Sequence, residues 1–148
     1  MSELSHVNEA GDVRMVDVGD KPLSRRRAVA RATVRMAPET AGRLRVLPKG
    51  DALVTAQVAG IMAAKRTSEL IPLCHPLPLS SVEVSLAVGD AAVEVVATVE
   101  TIAQTGVEME ALTAVSIAAL TVYDMAKAVD KTLAVTDVML VEKTKEPV

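Results

Sequence analysis

A pair of strand-like runs joined by a short turn constrains the fold of this chain more than any other feature. Residues 82–88 read VEVSLAV, residues 91–100 read AAVEVVATVE, and Gly89-Asp90 lies between the two runs. Apolar residues at every second position indicate a strand with one buried face, and a Gly-Asp pair between two such runs is typical of a β-hairpin. The chain is therefore expected to contain an antiparallel sheet.

Further helix and strand patterns place this hairpin in an α+β fold. Residues 28–36 alternate with period two and LAVTDVMLVEK at 133–143 is strand-like. PETAGRLRVL, which begins at Pro38, predicts a short helix, Asp51 is expected to cap a second one, and residues 107–129 predict a long third one. This order of elements predicts a ferredoxin-like split βαβ fold, a four-stranded antiparallel sheet with helices on one face.

Length and composition indicate one domain, residues 1–148, whose ends at 1–15 and 144–148 we expect to be mobile. The only aromatic side chain is Tyr123, so the core must be built from small aliphatic residues that let elements pack closely. A net charge of −3 argues against a nucleic-acid partner. The single cysteine indicates a reducing compartment, and no apolar signal region or membrane span is visible, so we expect a soluble cytoplasmic protein without membrane contact.

Two strands carry apolar side chains at consecutive positions, namely the run 93–99 and the run 138–141. In a two-layer domain the helices cover only one face of the sheet, and a strand that is apolar on both faces needs cover on both. We therefore expect the free face of the sheet to pack against another subunit.

The segment LIPLCHPLPL places the only cysteine, Cys74, beside His75 and between Pro72 and Pro76. The prolines disfavour helix, so the segment should be stiff and extended. A zinc site needs three or four ligands and the only other histidine is His6, so no metal is expected here. Neighbours on an extended chain point to opposite faces, which disfavours a Cys–His nucleophilic pair and favours a buried cysteine that packs as a small hydrophobic residue.

The first turn of the long helix, TGVEMEA, has two interpretations. Thr105 followed three residues later by Glu108 is a capping-box pattern, and acidic residues suit the amino end of a helix. The local sequence favours this capping role. The alternative is that Glu108, Met109 and Glu110 project beyond the helix end toward a ligand.

The sequence YDMAK near the end of the same helix places Asp124 and Lys127 three residues apart, hence on one face. They can form an exposed ion pair or a general acid–base couple, and spacing alone does not choose between these roles.

Cations are concentrated at the ends of elements. In an acidic protein such positions suit a polyphosphate ligand, although a solvated surface is the usual fate of any one lysine. The residues concerned are Arg25, Arg26, Arg27, Lys49, Lys65, Arg66, Lys131 and Lys143.

Taken in order along the chain, several segments resemble the cyclic pyranopterin monophosphate synthase family, the C protein (MoaC) of molybdenum cofactor biosynthesis. The resemblance covers almost the whole chain, and LCHPL, GVEMEALTA and YDMAK are its most specific parts. The other matching segments are LSHVNEAGDVRMVDV, KGD at 49–51, AGIMAAKRT and the final LVEK.

The resemblance implies a phosphorus–oxygen lyase that converts (8S)-3′,8-cyclo-7,8-dihydroguanosine 5′-triphosphate to cyclic pyranopterin monophosphate and releases diphosphate. It implies a homo-oligomer, a hexamer built as a trimer of dimers, and no resident cofactor; whether Mg²⁺ accompanies the triphosphate stays open. By matching position, Asp124 is the acid–base residue with Lys127 as its partner, and His75 hydrogen-bonds substrate or transfers a proton. Phosphate binding or proton transfer falls to Lys49, Arg26 and Lys143. The remaining substrate contacts are expected at Leu73, Cys74, Met109 and Glu110, with Glu108 close by.

Helix geometry adds a constraint on where this site can lie. Glu110 and Asp124 are 14 residues apart on one predicted helix, which is roughly 21 Å at ~1.5 Å per residue. A compact tricyclic ring system cannot touch both, so we expect a site shared between subunits of an oligomer larger than a dimer.

Two other functions remain open on the sequence. One is a non-catalytic ligand-binding or regulatory domain on the same fold, and the other is a structural assembly subunit whose charges are surface groups. Both predict that no turnover depends on Asp124 or Lys127.

Overall fold

The computed structural model describes residues 4–148 and shows an antiparallel sheet with helices packed on one face. The strands lie in the order β2-β3-β1-β4 and each neighbouring pair is antiparallel, which confirms the predicted ferredoxin-like arrangement. The elements are β1 (Ser24–Arg35), α1 (Pro38–Ala41), α2 (Ala52–Lys65), α3 (Thr67–Leu70), β2 (Leu79–Val88), β3 (Ala92–Ala103), α4 (Glu108–Ala126) and β4 (Ala134–Pro147).

The core lies between the sheet and the helices and consists mainly of alanine and valine side chains. In the central parts of β1 and β3 every second residue is fully buried on the helix side, as the period-two pattern predicts. The buried sheet residues are Ala28, Ala30, Ala32, Val34, Val93, Val95, Ala97 and Val99. Such small side chains allow the layers to approach closely.

Helices α2 and α4 approach each other closely at Gly60 of α2. A Cβ atom at this position would lie 3.1 Å from the carbonyl oxygen of Ala114 and 3.3 Å from the Cβ of Ala118. The absence of a side chain at Gly60 therefore lets α2 cross directly over α4.

The predicted cap of α2 is confirmed, whereas the helix before it is shorter than predicted. The carboxylate of Asp51 accepts hydrogen bonds from the amides of Leu53 and Val54, and these bonds lower the pKa of Asp51. The helix that begins at Pro38 ends after one turn, and residues 42–50 form turns instead. These turns bury Leu44 and Leu47 in the core, where a longer helix would have carried Pro48 near its end.

The free face of β3 carries Glu94 and Glu100 as well as Val96, so the expectation that this strand is apolar on both faces is met only in part. Glu94 lies 3.6 Å from Arg31, and Glu100 lies 3.5 Å from Arg27, which also binds Glu142 of β4 at 2.8 Å. The apolar residues of β3 are concentrated on the alternate positions that face the helices.

The run at 138–141 in β4 remains apolar and uncovered. Val138, Met139, Leu140 and Val141 are 44%, 46%, 39% and 57% exposed. The pairing of β4 with β1 shifts register twice here, and Asp137 has a positive φ of 55°, so successive side chains do not alternate regularly. We call residues 138–141 the β4 apolar patch.

The chain ends and α4 bear on two further expectations. Residues 144–147 continue β4 beside β1. Residues 1–3, at the other end that was predicted to be mobile, lie outside the described residues. Mobility of the two ends stays a prediction. Among the described helices only α4 has the length and apolar composition of a membrane span, and 56% of its apolar window is buried in the protein, which is weak support for a span.

Candidate active site

A cleft of about 430 Å³ opens where the loop after α3 meets the first turn of α4. The loop between α3 and β2 supplies Leu73, Cys74 and His75, and α4 supplies Glu108, Met109 and Glu110. These six residues therefore line one surface. They are the substrate contacts that the family resemblance implies in these two segments.

Cys74 and Glu110 form a hydrogen-bonded pair in the wall of this cleft, and Cys74 is half-buried there, less enclosed than the expected buried cysteine. The thiol of Cys74 lies 3.8 Å from Oε2 of Glu110, which is 3% exposed. Burial raises the pKa of Glu110, and burial together with the nearby Glu110 carboxylate raises the pKa of Cys74 to about 11. Cys74 is therefore a neutral thiol near pH 7, unsuited to nucleophilic attack, and Glu110 favours its protonated form more than an ordinary glutamate does.

His75 lines the same cleft as Cys74, so the expectation that they face opposite ways is wrong. The amide of Cys74 donates to the carbonyl oxygen of Ile71 at 3.1 Å, and this bond closes a turn that interrupts the extended segment. The ring of His75 donates from Nε2 to the carbonyl oxygen of Val16 at 2.5 Å, which fixes the orientation of the imidazole.

Glu108 does not take part in a capping box. The helix begins after Val107, and no side chain caps its first amides. Instead, Oε1 of Glu108 lies 3.3 Å from Nζ of Lys143 in β4, and the carboxylate packs against Gly106, where any Cβ atom would collide with it. The capping role is therefore wrong, and the alternative role, in which these carboxylates face a ligand, stays a prediction.

Three polar atoms at this end of the molecule are buried without a hydrogen-bond partner among the described residues. They are Oε2 of Glu108, Oε1 of Glu110 and Nε of Arg26. Arg26 of β1 pairs in register with Thr101 and Lys145, at the same end of the sheet as Lys143. Buried polar atoms normally find partners, so each of these atoms has an unused hydrogen-bonding capacity.

A second cluster forms around Asp124 near the other end of α4. Nζ of Lys49 lies 2.9 Å from Oδ2 of Asp124, and Nζ of Lys127 lies 3.2 Å from Oδ1. Hydrogen bonds from Lys49 and Lys127 lower the pKa of Asp124, so the carboxylate is ionised over a wider pH range than usual. Asp124 is half exposed in the isolated chain.

A tight turn presents Lys49 to this cluster. The amide of Leu47 donates to the carbonyl oxygen of Gly50, the amide of Gly50 donates back to Leu47, and Gly50 has a φ of 114°. A positive φ is readily adopted only by glycine, so Gly50 allows Lys49 to lie at the tip of the turn.

Within one chain the predicted site residues therefore form two separate clusters. Both Glu110 and Asp124 belong to the single helix α4, 14 residues apart, which places the clusters roughly 20 Å from each other.

The amino-terminal segment contributes residues to which the sequence analysis assigned no role. His6, Val16, Val18 and Lys21 line the cleft, and Lys21 adds a cation to its lining. The matching segment LSHVNEAGDVRMVDV indicated that this region as a whole resembles the family. Its individual cleft residues could not be predicted, because they lie in irregular structure without periodicity.

No group of three or more histidine, cysteine, aspartate or glutamate side chains converges as a metal site within residues 4–148.

Comparisons with known proteins show which family the chain belongs to. The model of the MoaC family matches residues 15–146 of the chain. The chain is 57% identical to the cyclic pyranopterin monophosphate synthase of Thermomicrobium roseum, over 97% of this chain and 89% of that protein. It is 57% identical to the Roseiflexus castenholzii synthase, over 97% and 94%, and 59% identical to the Streptomyces avermitilis synthase, over 95% and 84%.

Proposed function

The chain belongs to the MoaC family, and we propose that it acts as a cyclic pyranopterin monophosphate synthase in molybdenum cofactor biosynthesis. The reaction converts (8S)-3′,8-cyclo-7,8-dihydroguanosine 5′-triphosphate to cyclic pyranopterin monophosphate and releases diphosphate. The single observation that carries the residue assignments is the Asp124 carboxylate, whose two oxygens each bind a different lysine.

The cluster at Asp124 supplies the acid–base chemistry. Opening the five-membered ring of the purine and forming the new ring require several proton transfers. Asp124 is held ionised by Lys49 and Lys127, so it accepts a proton, and either ammonium group can donate one.

The cleft at the start of α4 holds the ring system of the substrate. The buried, unpaired oxygens of Glu108 and Glu110 can accept hydrogen bonds from the N–H groups of a guanine-derived ring. Met109 and Leu73 provide apolar contact beside them. His75 donates from Nε2 to Val16, so its Nδ1 is left to accept a hydrogen bond or to transfer a proton at the same surface.

Cations around the two clusters hold the phosphates. The cyclic phosphate closes as the bond to the departing diphosphate breaks, and positive charge on the leaving group lowers the barrier to this step. Lys143 binds Glu108 beside the cleft, Arg26 lies at the same end of the sheet, and Lys49 lies at the Asp124 cluster. We expect no resident cofactor, and Mg²⁺ bound with the triphosphate is compatible with these roles.

The distance between the clusters supports an oligomer with shared sites. One chain holds the ring-binding cleft and the acid–base cluster too far apart for a compact ring system, so a second chain must bring the missing cluster. The exposed β4 apolar patch is a surface that such an assembly would cover. We propose a cytoplasmic homo-oligomer, a hexamer built as a trimer of dimers, with no nucleic-acid or membrane partner.

Diphosphate release from the cyclised dihydro-GTP tests this function. The wild-type protein should release one diphosphate per substrate, and Lys127→Ala should abolish turnover while the protein stays folded. Asp90→Ala, in the exposed turn between β2 and β3, is the matched control and should keep full activity. A wild-type protein that binds the substrate without releasing diphosphate would favour the ligand-binding alternative.

A further inference from the structure

Asp130 is a buried carboxylate to which the proposed mechanism gives no task. It lies in the turn after α4 and is 6% exposed. Its Oδ1 accepts hydrogen bonds from the hydroxyl and the amide of Thr132, at 2.6 and 2.7 Å. Its Oδ2 accepts from the amide of Ala37 at 2.9 Å and from the hydroxyl of Thr40 at 2.7 Å. Every donor in this set favours the ionised carboxylate.

The two oxygens of Asp130 serve different parts of the chain. Oδ1 binds only its own turn, whereas Oδ2 reaches the first turn of α1, more than 85 residues earlier in the sequence. The amide of Asp130 also donates to the carbonyl oxygen of Ala126, so the residue is attached to the last turn of α4. Asp130 therefore fastens the start of α1 to the end of α4.

The segment that begins at α1 is the one that carries Lys49. It runs through the buried Leu44 and Leu47 to the turn closed by Gly50. At its far end Asp51 caps α2. The position of Lys49 relative to α4 is thus set by one carboxylate at each end of the segment, Asp130 before it and Asp51 after it.

The contact between Lys49 and Asp124 cannot position the segment by itself. Both side chains are about half exposed, at 49% and 54%. Exposed ion pairs of flexible side chains contribute little to holding a geometry, whereas a buried carboxylate with four hydrogen bonds does so strongly. We propose that Asp130 is a positioning residue that docks the Lys49 segment on the end of α4 and so holds Nζ of Lys49 against Asp124.

Loss of the link between Asp130 and α1 should change the pKa of Asp124, which a purely structural role of Asp130 would leave unchanged. The charged groups that face Asp124 are Lys49 from the turn and Lys127 from its own helix. If the segment moves, Lys127 stays and Lys49 withdraws, so the pKa of Asp124 rises toward its ordinary value. Removal of the Asp130 charge alone would lower the pKa of Asp124, so a rise distinguishes positioning from a direct effect of that charge.

Two threonine variants provide a matched test. Thr40→Val and Thr132→Val each remove one hydroxyl donor to the same carboxylate, but only Thr40 belongs to the link with α1. Thr40→Ser keeps the hydroxyl donor to Asp130 and should therefore behave like the wild-type protein. Asp130→Asn is the stronger change, and the threonine series carries the test if that variant does not fold.

Two measurements read the result. One is the pKa of Asp124 by ¹³C NMR of the aspartate carboxyls, with the signal assigned by its loss in Asp124→Asn and with Lys49→Ala as the reference for complete removal of that lysine. The other is the pH profile of diphosphate release. Thr40→Val should raise the pKa of Asp124, shift the acid limb of the profile to higher pH and lower kcat by about 10-fold. Thr132→Val and Thr40→Ser should match the wild type in both.

Lower thermal stability of Thr40→Val with an unchanged Asp124 pKa and an unchanged pH profile would overturn the proposal. The catalytic part of the inference rests on the proposed function, and the NMR titration does not. If the wild-type protein releases no diphosphate, the proposed function fails, and the titration still decides whether Asp130 positions Lys49.

Discussion

At the scale of single residues, Asp124 is the side chain on which the proposed chemistry depends most. Asp124→Asn keeps the shape of the side chain but removes the charge that accepts a proton and holds both lysines. We expect kcat to fall by about 10²-fold or more, the usual contribution of a positioned acid or base. The comparison is diphosphate release by folded wild-type and variant protein, checked by circular dichroism. Activity within a few-fold of the wild type would remove Asp124 from the mechanism.

Cys74 allows a second test at this scale, by alkylation. Its pKa is raised to about 11, against ~8.5 for an ordinary cysteine, so the rate of reaction with iodoacetamide should rise only at strongly alkaline pH. Glu110→Gln removes the neighbouring negative charge, and the midpoint of the rate profile should move to lower pH. Glu83→Gln, on the exposed edge strand β2, should leave it unchanged. A wild-type midpoint near the ordinary value would contradict the contact between Cys74 and Glu110.

At the scale of elements, the crossing of α2 over α4 depends on Gly60. Gly60→Ala places a methyl group against the backbone of Ala114, which cannot move away as a flexible side chain could. We expect the free energy of unfolding to fall by about 1–3 kcal/mol, the usual effect of overpacking. Urea denaturation measures it.

Gly42→Ala is the control for this prediction. Its Cβ would meet only ordinary contacts at 3.6 Å or more, and its φ of −73° suits alanine. It should leave stability unchanged or slightly higher. Equal losses in both variants would show that the crossing is not the cause.

Periodicity was sufficient to predict the elements that form the core. The period-two runs became β1, β2 and β3, and the apolar stripe of 107–129 became α4. Sequence patterns failed as a predictor where tertiary contacts compete with the local preference for a helix or a helix cap. The helix at Pro38 stops after one turn because Leu44 and Leu47 must reach the core, and the pattern Thr105–Glu108 is not a cap because Lys143 and Gly106 engage the glutamate.

The candidate site was also predictable in part, but here the signal was the family resemblance and not periodicity. The residues of the cleft came from the family resemblance, since nothing in local spacing favours Glu108 and Glu110 as ligand contacts over a helix cap. The partner of His75 is the backbone oxygen of Val16, a group that every residue has and that no sequence pattern marks. By contrast, the separation of Glu110 from Asp124 follows directly from the rise of a helix.

At the scale of the whole molecule, the division of the site into two clusters predicts complementation between inactive variants. Glu110→Ala and Asp124→Ala should each be inactive alone, and mixed oligomers should regain roughly a quarter of the active sites by random pairing of chains. Diphosphate release after co-refolding or co-expression measures the recovery. Asp124→Ala mixed with Lys127→Ala is the control without recovery, because both residues belong to the same cluster. No recovery in the first mixture would contradict a shared site.

The lone aromatic residue gives the molecule an optical property that follows from its position. Tyr123 precedes Asp124 on α4, is 39% exposed, and has no tryptophan in the chain to take up its excitation. Its fluorescence therefore reports on the surroundings of the Asp124 cluster alone, without a label. Arrival of a substrate or of a neighbouring chain at that cluster should be visible as a change in tyrosine emission, measured on the unmodified protein.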